Sequence, residues 1–180
     1  MSGPGRRRAP RGGKVLAPSS AAVLVARLKR RGRSVVFTNG CFDLLHAGHL
    51  FLLERARSCG DVLVVGVNAD RSVRALKGPG RPIVPLAERM EILAALRAVD
   101  YVVPFAGATP ARLIGRLRPD VLVKGGDYRP AEIAGRETVE ASGGRVVTVP
   151  LRKGRSTTGL IRRALRAARA APGAARGAGR

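Results

Sequence analysis

The chain has 180 residues, enough for one domain with a hydrophobic core, and its 34 Lys and Arg against 12 Asp and Glu give a formal net charge of +22. Such a charge by itself suggests a nucleic-acid or anionic-surface partner. The excess is confined to the ends, however: residues 1–33 and 151–180 contain 10 and 9 basic residues and no acid. The chain also has no Trp, two Tyr and four Phe, few for a protein that stacks bases on aromatic rings. We therefore do not expect nucleic acid to be its main partner.

Membrane-spanning and disulfide-rich proteins are excluded as well. No apolar run approaches the ~20 residues needed to cross a bilayer, and the basic start lacks the apolar stretch of a secretory signal. Two cysteines, Cys41 and Cys59, are too few for a disulfide framework. These features predict a cytoplasmic protein with a disordered basic tail over 1–18, one domain over 19–170 and a flexible tail over 171–180.

Short apolar runs alternate with helical patterns along the whole domain. Ser19 or Ser20 is expected to cap the first helix, and Thr109 a later one. Residues 68–85 form a polar, Gly/Pro-rich stretch with room for one helical turn. Strands are predicted at 34–38, 61–67, 99–103, 120–124 and 145–149. Helices are predicted at 22–28, 49–56, 86–97, 110–118 and 156–170, and a further helix is predicted to end at residue 140. This alternation predicts an α/β, Rossmann-like single domain, a five-stranded parallel sheet with helices on both faces.

Polar, glycine-bearing segments follow four of the five predicted strands. In parallel sheets of this kind, ligands bind beyond the carboxyl ends of the strands. We therefore expect these segments to meet at one end of the sheet and form a binding site. They are residues 39–49, Asn68 with the Lys/Arg loop behind it, residues 124–127 and residues 152–158.

The two histidines of the chain, His46 and His49, lie three residues apart where a helix is predicted to begin. This spacing places both rings on one side of the first turn, whose free N–H groups favour an anion. Imidazoles at that point can donate hydrogen bonds to a phosphate whose charge grows during reaction. The alternatives are histidines that act as caps or core fillers, and a zinc site with Cys41 and Cys59. Those spacings match no structural zinc pattern, so we predict no metal site built from side chains.

Cations and hydroxyls in the other segments suit a triphosphate. Lys77 offers a point charge and Arg81 a bidentate fork, although a solvated surface loop explains this segment equally well. Residues 156–158 carry hydroxyl groups at the predicted start of a helix, and Arg155 directly precedes them. Hydroxyl groups at such a position serve as helix caps or as phosphate ligands. Residues 124–127 are either a tight turn or a backbone surface for a base or sugar edge.

Several of these motifs, taken in order, resemble the nucleotidyltransferase superfamily with an HxGH box. The segment Gly40–His49 carries that box. The later segments resemble the adenylyltransferases of ADP-heptose synthesis, and the likeness extends over about residues 20–168. The segments concerned are Asn68–Arg71, Lys77–Pro82, Val123–Tyr128, Gly135–Gly144 and Gly154–Thr158.

This resemblance implies that a sugar 1-phosphate, D-glycero-β-D-manno-heptose 1-phosphate, attacks the α-phosphorus of ATP and releases pyrophosphate. His46 and His49 would then stabilise the α-phosphate and the departing bridge oxygen, while Lys77 and Arg81 neutralise phosphates. Mg²⁺ would bridge the phosphates, mostly through water and substrate. Substrate contacts are implied for Asn68, Asp70 and Arg71. Nucleotide contacts are implied for both histidines and for Thr38, Asn39, Gly40, Cys41, Phe42, Lys124, Gly126, Asp127, Arg155, Ser156, Thr157 and Thr158.

The resemblance leaves the nucleotide and the acceptor open. Cytidylyltransferases for glycerol phosphate or another alcohol phosphate share the HxGH box, and they are the alternative reading. Many relatives carry a sugar kinase ahead of this domain, so a separate sugar kinase is expected upstream in the reaction sequence. We also expect a homo-oligomer, a dimer.

Overall fold

The structure is a computed structural model that describes residues 13–126, 132–150, 154 and 156–170. Its strands are β1 (Val35–Gly40), β2 (Val62–Asn68), β3 (Tyr101–Phe105), β4 (Val121–Gly125) and β5 (Arg145–Val149). Its helices are α1 (Pro18–Arg30), α2 (Ala47–Ser58), α3 (Asp70–Lys77), α4 (Leu86–Ala95), α5 (Ala111–Leu117), α6 (Arg136–Ala141) and α7 (Thr157–Ala170).

All five strands are parallel and form one sheet in the order β3-β2-β1-β4-β5. The chain adds strands outward from β1 to β3 on one side and then returns to add β4 and β5 on the other. The order therefore reverses between β1 and β4, which opens a crevice at the carboxyl ends of these two strands. The predicted fold class is confirmed, and this reversal fixes where a site can form.

Alternating residues of each central strand enter two separate hydrophobic cores. In β1, Val35 and Phe37 pack with α1, α5 and α6, whereas Val36 faces the other way and packs with α2 and α4. Each strand of this kind is buried on both faces, which is why it reads as a continuous apolar run. The helices on both faces are therefore a consequence of the strand composition.

Helix starts depart from the sequence predictions. α1 begins at Pro18 with Ala17 before it and α5 begins after Pro110, and neither has a side-chain cap, so the capping expected from Ser19, Ser20 and Thr109 is wrong. Proline suits these positions because the first N–H of a helix has no intrahelical partner. The polar stretch after β2 contains the eight-residue helix α3 rather than a single turn.

Residues 14–16 belong to the folded body, although the sequence placed them in the N-terminal tail. Val15 forms a parallel bridge with Val102 of β3, flanked by hydrogen bonds from Val102 N to Lys14 O (2.8 Å) and from Leu16 N to Val102 O (2.9 Å). The Lys14 ammonium also donates to the carbonyl of Val99 at 2.7 Å. These bonds extend the sheet beyond its edge strand, a contact that local sequence patterns do not reveal.

None of the helices in the described part of the chain is both long enough and apolar enough to cross a membrane.

Gly66 in β2 is a sensitive point of the sheet. A Cβ at this position would lie 2.7 Å from Cζ of the buried Phe37 and 3.3 Å from Cβ of Asn39. Gly66→Ala is therefore expected to lower the free energy of unfolding by about 1–3 kcal/mol, as overpacking does. Gly115→Ala in α5 is the matched control, since a Cβ there meets nothing within 4 Å and alanine favours a helix by about 0.5–1 kcal/mol. Urea unfolding measures both, and equal losses would contradict the expectation.

Candidate active site

A cleft of about 600 Å³ lies at the carboxyl ends of β1 and β4, where the strand order reverses. It brings together most of the residues singled out in the sequence, from segments as far apart as β1 and the start of α7. Those residues are Asn39, Gly40, Cys41, Phe42, His46, His49, Asn68, Lys77, Arg81, Lys124, Ser156, Thr157 and Thr158.

Four sequence-predicted residues do not line this cleft. Thr38 is fully buried within β1, one residue before Asn39, at which the cleft lining on this strand begins. Asp70 binds a buried arginine instead, and Arg71 lines a neighbouring hollow. Gly126 follows β4 with a φ of +124° and donates its N–H to Val149 O at 3.0 Å. Asp127 and Arg155 lie outside the described residues.

The two histidine rings stack at the start of α2. Their centroids are 3.9 Å apart with an interplanar angle of 18°, and the Phe42 ring lies 5.3 Å from that of His49. His46 is the N-cap residue: its Nδ1 accepts the N–H of Gly48 at 3.1 Å, which leaves the ring proton of the neutral form on Nε2. Nδ1 of His49 is buried and has no hydrogen-bond partner within the described residues. The pair therefore holds ring N–H donors and an unsatisfied polar atom beside the cleft.

Burial and the neighbouring His46 lower the pKa of His49 from its ordinary 6.5 to about 4. The ring is therefore neutral near pH 7. Negative phosphate oxygens nearby would favour the protonated form and raise this pKa. The site is therefore arranged to gain positive charge when an anion enters.

The carboxylate of Asp43, between the HxGH histidines and β1, is buried and satisfied from another loop. It accepts hydrogen bonds from Nε of Arg81 and from the N–H groups of Ile83 (3.0 Å) and Val84 (2.9 Å). Burial raises its pKa, but these hydrogen bonds outweigh burial and the pKa is lowered overall. The backbone carbonyl of Asp43 also accepts the hydroxyl of Thr157 at 2.8 Å. Asp43 thus connects three segments that line the cleft: the turn that carries the histidines, the loop with Arg81 and the start of α7.

Arg89 in α4 is a second buried connection, and its side chain is 1% exposed. Its guanidinium donates to the carbonyls of Cys41, Asn68 (2.9 Å) and Val84 (2.9 Å). It also donates to Oδ1 of Asp70 at 2.6 Å. The planar fork therefore fixes the ends of β1 and β2 relative to the loop before α4, a geometry that a single ammonium cannot reproduce.

The cations that line the cleft differ in their hydrogen bonds and in their burial. Nε of Arg81 is held by Asp43, while its two terminal nitrogens have no hydrogen bond to any described residue. Nζ of Lys124 donates to Oδ1 of Asn39 at 3.2 Å, and burial lowers the pKa of Lys124, although the Cys41 thiol opposes this. Lys77 lies in the last turn of α3. Positive charge in the cleft is therefore supplied from three separate elements of the chain: the end of α3, the loop before α4 and the end of β4.

Two of the three hydroxyl residues at the start of α7, Ser156 and Thr157, form hydrogen bonds. The Oγ of Ser156 accepts the N–H of Gly159 at 3.1 Å, and the hydroxyl of Thr157 binds Asp43 as described. Thr158 is exposed. Ser156 therefore forms one of the caps that the sequence offered as an alternative to phosphate ligands, and all three residues line the cleft.

Sequence reasoning missed Asp43, Arg89 and Glu132, although the first two left a signal. Asp43 interrupts the apolar run from Phe42 to Leu45, and Arg89 stands at helical spacing between Leu86 and Leu93 on the core stripe of α4. A charged residue on an apolar stripe indicates a buried hydrogen-bond network. Glu132, which lines the cleft, follows the undescribed segment 127–131 and left no such signal.

The sheet order, the crevice at its reversal and the stacked histidines define a nucleotide-binding α/β protein of the Rossmann-like kind. Residues 37–163 match a family model described as cytidylyltransferase-like. The chain belongs to this family of nucleotidyltransferases, and the resemblance found in the sequence is confirmed.

Curated relatives named "Bifunctional protein HldE" match most of the chain. The relative from Syntrophotalea carbinolica is 58% identical over 137 residues, covering 76% of this chain and 28% of the relative. The relative from Chromohalobacter salexigens is 60% identical over 137 residues (76% and 29%), and that from Coxiella burnetii is 51% identical over 151 residues (84% and 32%). The chain thus spans about a third of the length of these relatives.

Two solved structures share the fold. The lipopolysaccharide core biosynthesis protein from Thermoplasma volcanium has a TM-score of 0.56 and 27% identity, covering 69% of this chain and all of that one. The pantoate-beta-alanine ligase from Francisella tularensis, complexed with beta-gamma ATP and beta-alanine, has a TM-score of 0.53 and 14% identity. The match covers 81% of this chain and 69% of the ligase, and it shows the fold alone.

His49→Gln is expected to reduce the loss of stability in acid. The pKa of His49 is about 4 in the folded chain and 6.5 ordinarily, so between these values the unfolded chain binds a proton that the folded chain rejects. The free energy of unfolding of the parent therefore falls as the pH is lowered through this window, and glutamine removes that contribution. Urea unfolding at about pH 7 and about pH 5 measures the difference. An equal fall in parent and variant would contradict the expectation.

Arg89→Lys keeps the charge but loses the fork. We expect a loss of about 3 kcal/mol in the free energy of unfolding, because each buried carbonyl left without a donor costs about 1–3 kcal/mol. Arg97→Lys, an exposed arginine just beyond the same helix, is the control and should change stability by less than about 0.5 kcal/mol. Comparable losses in the two variants would show that Arg89 is not the connection described.

Proposed function

We propose that the chain transfers AMP from ATP to a sugar 1-phosphate, D-glycero-β-D-manno-heptose 1-phosphate, and yields ADP-heptose and pyrophosphate. The observation that carries the proposal is the cleft that the stacked His46 and His49 share with cations from α3 and β4. The 51–60% identity to the HldE relatives supports the choice of acceptor, since it extends over 76–84% of the chain.

The reaction is an in-line displacement at the α-phosphorus. An oxygen of the acceptor phosphate forms the new bond, the bond to the bridge oxygen breaks, and pyrophosphate leaves with that electron pair. No covalent intermediate with the enzyme is needed, so catalysis consists of positioning and charge stabilisation. The acceptor phosphate and the α-phosphate both carry negative charge, and the chain's main task is to bring them together.

The histidine pair acts at the α-phosphate. Ring N–H groups of His46 and His49 donate to its oxygens and to the departing bridge oxygen, where charge increases in the transition state. His49 is neutral near pH 7, and phosphate charge beside it would increase its tendency to bind a proton. The stacked geometry keeps both rings against one small target.

The remaining phosphates are held from the other walls. Lys77 and the free nitrogens of Arg81 neutralise charge on the triphosphate, and the start of α7 with Thr158 receives its β and γ groups. Asn39, Gly40 and Cys41 line the nucleotide with backbone, and Lys124 at the end of the neighbouring strand β4 lines the same cleft. Asn68 remains a candidate for the acceptor side.

Mg²⁺ fits this cleft as an ion held mainly by substrate oxygens. Among the described residues no group of three or more His, Cys, Asp or Glu is placed to bind a metal. Glu132 is the cleft carboxylate without a hydrogen bond or ion pair to another described residue, so it is able to supply one ligand. One carboxylate plus phosphates and water is a common Mg²⁺ environment. When bound, the ion neutralises charge on the phosphates.

We propose further that a separate sugar kinase active site forms the 1-phosphate, since the relatives are called bifunctional and this chain covers about a third of them. We also propose a cytoplasmic homodimer. The free thiols of Cys41 and Cys59 agree with a reducing compartment.

A substrate matrix tests the function. ATP and CTP are each combined with heptose 1-phosphate, glucose 1-phosphate and glycerol 3-phosphate, and pyrophosphate release and product mass are measured. We expect turnover with ATP and heptose 1-phosphate. Turnover confined to CTP and glycerol 3-phosphate would replace the proposal with the cytidylyltransferase alternative, and no turnover in any pair would reject both.

His49→Ala tests the mechanism in the productive pair. Loss of a transition-state donor is expected to lower kcat about a hundredfold to a thousandfold. Leu50→Ala is the control, because Leu50 is the next residue on α2, is 43% exposed and does not line the cleft. Its kcat should stay within about twofold of the parent. A His49→Ala enzyme that turns over as fast as Leu50→Ala would remove the histidine from the mechanism.

A further inference from the structure

A second cavity of about 390 Å³ lies beside the cleft, at the carboxyl end of β3. We call it the arginine hollow. Three arginines from two helices face it, and the other wall is formed by the end of β3 and the turn that follows. Its principal lining residues are Arg71, Phe105, Gly107, Thr109, Arg112 and Arg116. Thr109 also lines the cleft, so the two cavities adjoin there.

Among the described residues, no acidic side chain balances the positive charge of the hollow. No acidic residue lines it, and within the described part of the chain Arg71, Arg112 and Arg116 form no hydrogen bond or ion pair. Elsewhere in the described residues, arginines 33, 57, 81, 89 and 136 each contact a carboxylate. The three arginines of the hollow differ from these five in having no carboxylate partner among the described residues.

The placement of the three arginines is unfavourable without an anion. Arg112 and Arg116 are four residues apart on α5 and so share one face, where like charges repel by about 0.2–0.5 kcal/mol. Arg71, in the first turn of α3, adds a third positive charge from a different element. An anion between them would convert this repulsion into charge-assisted hydrogen bonds.

The remainder of the hollow suits the carbon part of a small ligand. Phe105 and Leu113 form an apolar base, and both are largely buried. Gly107 closes the turn beneath: a Cβ there would lie 2.8 Å from the carbonyl oxygen of Thr109. An apolar base, a few convergent polar groups and a volume of this size are the ordinary properties of a small-molecule site.

We infer that the arginine hollow binds a phosphorylated small molecule, whose phosphate is held by Arg71, Arg112 and Arg116. The guanidinium fork matches phosphate geometry, and three forks can surround its oxygens. The hollow shares none of the cations that line the cleft. The inference concerns binding alone and does not depend on the transferase reaction.

The test is a titration of the isotopically labelled full chain with inorganic phosphate, followed by amide NMR. The cleft is first saturated with a non-hydrolysable ATP analogue, and ionic strength is kept constant with chloride. We expect the amides of Gly107 and Leu113 to shift in a saturable manner. Absence of saturable shifts at these amides would overturn the inference, as would equal shifts with chloride alone.

Paired variants decide whether the arginines are responsible. Arg112→Gln/Arg116→Gln is expected to weaken phosphate binding about tenfold or more, equivalent to about 1.4 kcal/mol. Arg27→Gln/Arg97→Gln removes the same charge from exposed positions outside the hollow and should leave the Kd within about twofold. An unchanged Kd in the first pair, or equal weakening in both, would reject the site. Because the readout is binding, a chain inactive toward every pair of the substrate matrix is still tested in full.

Discussion

The buried carboxylate of Asp43 is the constraint on which the cleft depends. Taking a charge out of water costs several kcal/mol unless hydrogen bonds replace the lost solvent. Here the replacement comes from Arg81, Ile83 and Val84, which lie in a loop some 40 residues further along the chain, and the lowered pKa of Asp43 shows that the charged form is favoured. The loop that carries Arg81 is thus held against the histidine turn, and Thr157 joins the same residue through its backbone.

Arg89 performs the converse task with a buried positive charge. Backbone carbonyls at the ends of β1 and β2 face it, and these are the groups that a parallel sheet leaves without strand partners at its carboxyl edge. A single side chain satisfies both and also binds Asp70. The two buried charges therefore keep in place the loops that follow β1 and β2 and line the cleft.

Periodicity and apolar runs predicted the five strands, their parallel arrangement and the end of the sheet at which the polar segments meet. They worked because β1, β2 and β4 are buried on both faces, and such strands have a composition that helices and loops lack. Such local patterns do not predict contacts between residues that lie far apart in the sequence. Nothing near residue 43 indicates that residues 81–84 satisfy its carboxylate, and the role of Asp70 toward Arg89 depends on how α3 and α4 pack. The resemblance implied an acceptor contact for Arg71, and the structure has this residue lining the arginine hollow beside the cleft.

The pairing of residues 14–16 with β3 bears on how copies of the chain meet. An uncovered edge strand presents a row of free N–H and C=O groups, which can recruit a strand from another molecule and begin aggregation. Val15 and its neighbours occupy part of that row on β3. At the opposite edge, β5 is only five residues long and begins with an exposed arginine, both of which discourage strand addition. A short N-terminal segment therefore contributes to keeping the sheet closed to other chains, and a version of the protein trimmed to residue 19 would lose this protection while retaining every residue of the cleft.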